Sequence, residues 1–252
     1  MEVFIDKLKI NYQEFGSGQN ILLLHGWGGN FNSWFPVFSI LKEKYHVYAL
    51  DLPGFGKSDT PPSYFGLKEY GKVILEFIKT LKLIKPIIIG HSFGGSVSLI
   101  ASYQNPKLLS KLILVDSSGL RNKTLKKSVL LITAKLGNFI FSIPPLSLIK
   151  KSVRKKFYST IGEEDYLNAG KMEKILSNVV SEDLSTILNK ISIPTLIIWG
   201  EKDEDTPISD ASFFEKNIRN SKLIVIPNAS HFSYLDNTDL FIDYIEKFIN
   251  EK

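Results

Sequence analysis

Short apolar runs recur along the chain at Ile21–His25, His46–Leu50, Pro86–Gly90, Lys111–Val115, Thr195–Trp199 and Leu223–Ile226. Turn residues bound each run, and little polar alternation interrupts them, the pattern of strands buried on both faces of a parallel sheet. Between them apolar positions return at helical spacing in Trp34–Lys42, Leu67–Leu81, Phe93–Tyr103, Pro207–Ile218 and Thr238–Ile249. Strand and helix in alternation predict an α/β fold, a mostly parallel sheet with helices on both faces. Val3–Ile5 and Leu8–Glu14, on either side of a turn, predict an antiparallel hairpin at one edge and bring the sheet to eight strands. Thr206 followed by Pro207 predicts a hydroxyl N-cap with proline at the first helical position.

The rhythm breaks between Leu120 and Lys190, where helical patterns dominate. The chain therefore divides into a core, residues 1–119 and 191–252, and an inserted helical lid, residues 120–190. Ser128–Ile149 is strongly apolar, but Lys135 and Pro144-Pro145 interrupt it, and its unbroken part is shorter than the roughly 20 residues a membrane span needs. An amphipathic lid over a cleft is expected, with the paired prolines at a bend.

Charge sets the same segment apart. The chain of 252 residues carries +5 overall. Between Asp116 and Glu163 stand ten basic residues, among them Lys150, Lys151, Arg154, Lys155 and Lys156, and no acidic one; elsewhere 21 basic residues face 26 acidic ones. Such a run suits an anionic substrate or peripheral membrane contact, although a solvated helix face is the plainer expectation.

With no cysteine present, disulfides, thiolate metal ligands and a cysteine nucleophile are excluded. The opening residues Met1–Asp6 are strand-like and acidic, without the basic and apolar regions of a secretory signal, so a cytoplasmic location is expected. No nucleic-acid motif, no phosphate or dinucleotide loop and no histidine–carboxylate group at metal-ligand spacing is found, so neither cofactor nor metal is expected. Monomer and homodimer stay open.

The chemistry begins at Gly90-His91-Ser92-Phe93-Gly94, after an apolar strand and before a small-residue helix. A serine on so sharp a strand-to-helix turn is held out at the carboxyl end of a parallel strand, beside a helix N-terminus that favours developing negative charge. A base and an orienting acid are then required. Of the four histidines, His46 opens a strand, His91 packs or bonds locally within the turn, and His25 braces the glycine loop that follows it. His231, just past the last strand, sits at the same sheet edge as Ser92 and is the candidate base. The acid is sought in Gly200–Pro207, and Asp203 is chosen because Asp205 adjoins the helix cap. Asp116, at the end of another strand, is the rival.

These residues resemble the α/β-hydrolase superfamily over nearly the whole chain. The motifs that carry the resemblance are His25-Gly26-Trp27-Gly28, Asp51–Asp59, the Ser92 turn, Gly200-x-x-Asp203-x-x-x-Pro207 and His231, in the order serine, aspartate, histidine. The resemblance implies two-step acyl transfer through a Ser92-His231-Asp203 triad, with the backbone amides of Trp27 and Phe93 as oxyanion hole. Serine at position 92 excludes the branches with an aspartate nucleophile. Proline iminopeptidases are disfavoured because their His-Gly-Gly-Pro-Gly loop is absent. The expected activity is that of a small bacterial carboxylesterase on a small to medium ester. Carbon–carbon hydrolysis of the meta-cleavage type is the alternative, and a slow-turnover ligand receptor is the alternative of another class. Trp27, Phe93 and Phe232 near the site, with Phe139, Phe141, Phe157 and Tyr158 of the lid, form the expected substrate-binding set.

Overall fold

A computed structural model describes residues 1–121 and 170–251. Eight strands form one sheet: β1 (Glu2–Ile5), β2 (Leu8–Phe15), β3 (Asn20–Leu24), β4 (His46–Leu50), β5 (Ile87–His91), β6 (Lys111–Val115), β7 (Thr195–Gly200) and β8 (Ser221–Ile226). Their order is β1-β2-β4-β3-β5-β6-β7-β8. The β1–β2 hairpin and its β2–β4 junction are antiparallel, and all later pairings are parallel.

The continuous apolar runs hide an alternation that the fold resolves. Leu22, Leu24, Ile88, Leu112 and Leu114 face one core, with α2 (Leu67–Thr80), α3 (Phe93–Gln104) and α5 (Ile208–Asn217). Ile21, Leu23, Ile87, Ile89, Ile113 and Val115 face the other, with α1 (Phe35–Leu41) and α7 (Thr238–Asn250). Between β8 and α7 lies the one-turn helix α6 (Ser233–Asp236). Burial on both faces is why these strands read as unbroken apolar sequence.

Several boundaries shift by a residue from the sequence reading, as at β3, β5 and β7, and two shifts have a physical reason. β8 starts at Ser221 rather than Leu223, since an edge strand with a partly solvated face accepts Ser221 and Lys222. The helix expected from Pro207 begins at Ile208, with Pro207 itself as extended cap residue. Thr206 is not the N-cap, because its hydroxyl is spent on Asp203.

Residues 170–190, grouped with the insertion in the sequence, contain α4 (Glu173–Ser181) between two short 3-10 stretches. Met172, Ile175, Leu176, Leu184 and Leu188 join the core of the α2 and α3 face. Asn178 donates to the carbonyls of Ser63 and Phe65 at 3.1 and 2.9 Å, and Glu182 accepts from the first helical amide of α2, Leu67, at 2.7 Å. The body of the expected lid, with Phe139, Phe141, Phe157, Tyr158 and most of the basic run, lies outside the described residues. Among the described residues no helix is long and apolar enough to cross a membrane.

Candidate active site

At the end of β5 the chain turns through Ser92 at φ 50° and ψ −116° and enters α3 at Phe93. A non-glycine residue held there costs on the order of 1–3 kcal/mol and needs a surround that enforces it. That surround is backbone: the Ser92 amide donates to Val115 at 3.0 Å, and its carbonyl accepts from Gly95, Ser96 and Ser118 at 2.9, 3.3 and 3.1 Å. The flanking glycines are required by close approach rather than by their own torsions. A Cβ on Gly90 would lie 2.3 Å from the Gly94 carbonyl oxygen, and one on Gly94 would lie 2.3 Å from that of Leu24. The first amides of α3 have no carbonyl one turn earlier, so Phe93 and Gly94 present N–H groups at the turn.

His231 follows β8, and Asp203 follows the neighbouring strand β7. His231 Nδ1 and Asp203 Oδ2 lie 2.9 Å apart, with side-chain exposures of 13% and 0%. Asp203 Oδ1 accepts from the amides of Asp205 and Thr206, both at 2.9 Å, and Oδ2 also accepts from Thr206 Oγ1 at 2.7 Å. Burial alone would raise this carboxyl, but the bonds to His231 and Thr206 outweigh it and hold Asp203 below the usual carboxylate range. Burial works against the imidazolium of His231 too. The hydrogen bond and charge of Asp203, with the charges of Asp116 and Asp205, overcome it and raise His231 above an ordinary histidine.

The other three histidines do different work. His91 is buried, and its Nε2–H donates to the His231 carbonyl at 2.7 Å, so its partner is distant in sequence rather than local. Burial and the neighbouring His231 push it down to about 3, which keeps it neutral. His25 donates from Nδ1 to Gly26 and accepts from the Leu52 amide at Nε2, at 2.7 and 2.9 Å, a brace for the loop as the sequence suggests. His46 lies 3.6 Å from Glu14 at the far end of its strand.

The loop after β3 runs against the turn: a Cβ on Gly26 would come 2.9 Å from His91 Nδ1 and 3.3 Å from Ser92 Cβ. That contact seats the residue before Trp27 directly against the serine turn. The Trp27 ring stands edge-on to Phe55 and Phe93, with centroids 4.9 and 5.3 Å away. Phe93 is 3% exposed, so its ring belongs to the core and its amide is what it can offer a ligand. Phe232, 46% exposed, lies against His91 and His231 at the open rim.

Asp116, the rival acid, directs its carboxylate to Gly200 and Ser233. Thr206, Ser233 and the long-range bond of His91 escape sequence reading, because each depends on strands brought together only by the sheet. Folding also gathers a group with no sequence signature: ligand atoms of Asp203, Asp205 and His231 lie within 4.8 Å of one another. Two of these residues are already bonded to each other, which makes the trio an acid–base pair with a charged neighbour.

A family profile for the alpha/beta hydrolase fold matches residues 19–139 and 147–238. Lipase 1 of Psychrobacter immobilis is 30% identical, over 95% of this chain and 80% of its own length. A pimeloyl-[acyl-carrier protein] methyl ester esterase of Wigglesworthia glossinidia brevipalpis is also 30% identical, over 94% of this chain and 96% of its own. Among solved structures, a meta-cleavage product hydrolase of Pseudomonas fluorescens IP01 superposes with a TM-score of 0.76 at 20% identity, covering 99% of this chain and 97% of that one. The sheet order, the serine turn and these matches together place the chain in the α/β-hydrolase family.

Proposed function

We propose that the chain is a serine esterase that cleaves a small to medium carboxylic ester through an acyl-enzyme. The observation that carries the reading is the pairing of His231 with Asp203 at 2.9 Å on the loops beside a serine held at φ 50°. With Nδ1 of His231 bonded to Asp203, Nε2 is the ring nitrogen left to take the proton of Ser92. Ser92 Oγ attacks the ester carbonyl carbon, and the oxyanion develops beside the amides of Phe93 and Trp27. The imidazolium returns its proton to the leaving alkoxide, and a water activated by the same imidazole releases the acid. Relatives named lipase and methyl ester esterase favour an ester over a carbon–carbon bond, since the meta-cleavage hydrolase is alike in fold alone at 20% identity.

The test is hydrolysis of nitrophenyl esters of graded chain length by wild type and Ser92→Ala. The variant should fold and lose roughly 10⁴ to 10⁶ in turnover. A variant that keeps a tenth of wild-type activity removes Ser92 as nucleophile.

A further inference from the structure

Asp116 is fully buried at the end of β6, with φ 44°. Its Oδ1 accepts from the amide of Gly200, the last residue of β7 and the start of the loop that carries Asp203, at 2.7 Å. Its Oδ2 accepts from the amide and the hydroxyl of Ser233, two residues past His231, at 3.1 and 2.6 Å. Its carbonyl oxygen lies 3.2 Å from Thr206 Oγ1, the hydroxyl whose one proton goes to Asp203 at 2.7 Å. The two loops meet where Asp116 grips them: a Cβ on Gly200 would stand 2.1 Å from the Ser230 carbonyl oxygen.

We propose that Asp116 is a positioning residue of the reaction: one buried carboxylate ties the acid-bearing loop to the base-bearing loop and fixes the Asp203–His231 geometry. The proposal rests on the triad reading above. The side chain offers acceptors on both oxygens, and the donors here come from two separate segments, so neither loop can shift without lengthening a buried hydrogen bond. A displacement of about 1 Å at a catalytic pair is enough to cost on the order of 10² in rate. The φ of 44° shows the backbone bent into an uncommon region to deliver the side chain there. The charge reaches the base as well. His231 is faced by Asp203 and Asp205 from the acid loop, Asp116 from β6 and His91 from the serine turn, and Asp116 is among the groups that raise it.

Asp116→Asn tests the idea, because the amide keeps the shape but turns an NH₂ toward one of the two loops. Each variant is titrated with a chromogenic organophosphate, and turnover is expressed per reactive serine. The expected result is a fall in kcat of roughly 10- to 100-fold per titrated site, with KM within about threefold. The acid limb of the pH–rate profile should also move slightly to lower pH, since Asp116, pushed up to about 7, carries part of a negative charge near the imidazole as His231 titrates, and that part is lost. Should Asp116→Asn not fold, Ser233→Ala removes one donor and keeps its amide, and should lower kcat per site about 3- to 10-fold. Unchanged kcat per titrated site with an unmoved acid limb would make Asp116 a fold staple and overturn the proposal. If Ser92→Ala is dead in that case, only the role of Asp116 falls; if Ser92→Ala is active, the triad reading falls first.

Discussion

Asp203→Asn separates an orienting acid from a mere neighbour of the histidine, and the structure sets both direction and size. Two backbone amides, from Asp205 and Thr206, donate to Oδ1. In the variant the amide oxygen must stay there, because an NH₂ would face two N–H donors. The NH₂ then takes the Oδ2 position, 2.9 Å from His231 Nδ1. A donor at that place forces Nδ1 to accept, which moves the ring proton to Nε2 and aims it at Ser92. The base is thus held in the tautomer that cannot accept the serine proton. The imidazolium formed during reaction also loses its counter-charge, worth about 4 kcal/mol at roughly 4 Å and an effective dielectric near 20. Adding about 1–2 kcal/mol to restore the productive tautomer gives a loss on the order of 10⁴ in kcat. The assay is turnover of a nitrophenyl ester per titrated serine, with nitrogen-15 spectra of the imidazole to read the tautomer. With the main group that raises His231 gone, the remaining activity should show its acid limb at lower pH than wild type. Turnover within tenfold of wild type, or an Nδ1-protonated ring in the variant, would refute the reasoning.

The bond from His91 to the His231 carbonyl predicts that His91→Phe, which keeps the ring and removes the donor, lowers unfolding free energy by about 1–3 kcal/mol in urea titrations; an unchanged midpoint and slope would show the carbonyl finds another donor. Stability should also depend on acid in a calculable way. His25 and His91 are pushed down to about 4 and about 3 by burial, so on acidification from pH 6 to 5 the unfolded chain takes up protons on both while the folded chain does not. Asp116, pushed up to about 7 by burial, opposes them, since its folded-state carboxyl already holds a proton throughout this window and its unfolded one does not. The net loss of stability from these groups is about 1 kcal/mol, rising to about 2 kcal/mol in Asp116→Asn, where the offset is absent. Equal losses in the two proteins would contradict the raised carboxyl.

The fold was legible because its signals are local. An apolar run of about five residues bounded by glycine or proline reads as a buried strand whatever its partners, and strands β5, between Pro86 and the Gly90 turn, and β7, between Pro194 and Gly200, follow that rule. Ser92, His231 and Asp203 were legible for a related reason: each sits just after a readable strand, and parallel strands deliver such residues to one edge. What was not legible depends on lateral neighbours. Thr206 has the sequence of an N-cap, and only the approach of β8 to β7 turns its hydroxyl toward Asp203. His91 looked local because nothing between residues 91 and 231 signals that β5 and the loop after β8 converge. Asp116 was visible as a carboxylate at a strand end, but its two partners, at the end of β7 and the start of α6, lie 84 and 117 residues away.

The two buried carboxylates at this corner show how one fold assigns different charge behaviour to the same chemical group. Asp203 is pulled down although burial opposes it, because four donors converge on it and one belongs to a ring that becomes cationic. Asp116 is pushed up although three donors reach it, because desolvation outweighs neutral donors and Asp203 adds like charge. The difference lies in the cation. Once His231 takes a proton, the negative charge nearest it is compensated directly, while the charge behind it acts through Gly200 and Ser233 on where the ring sits. Interchanging the two roles would require the ring to turn from β7 toward β6, and the amides of Ser233 and Gly200 would then lose the acceptor that holds both loops. The acid after β7 and the brace after β6 are therefore coupled choices, and a substitution at either position should be read together with the other.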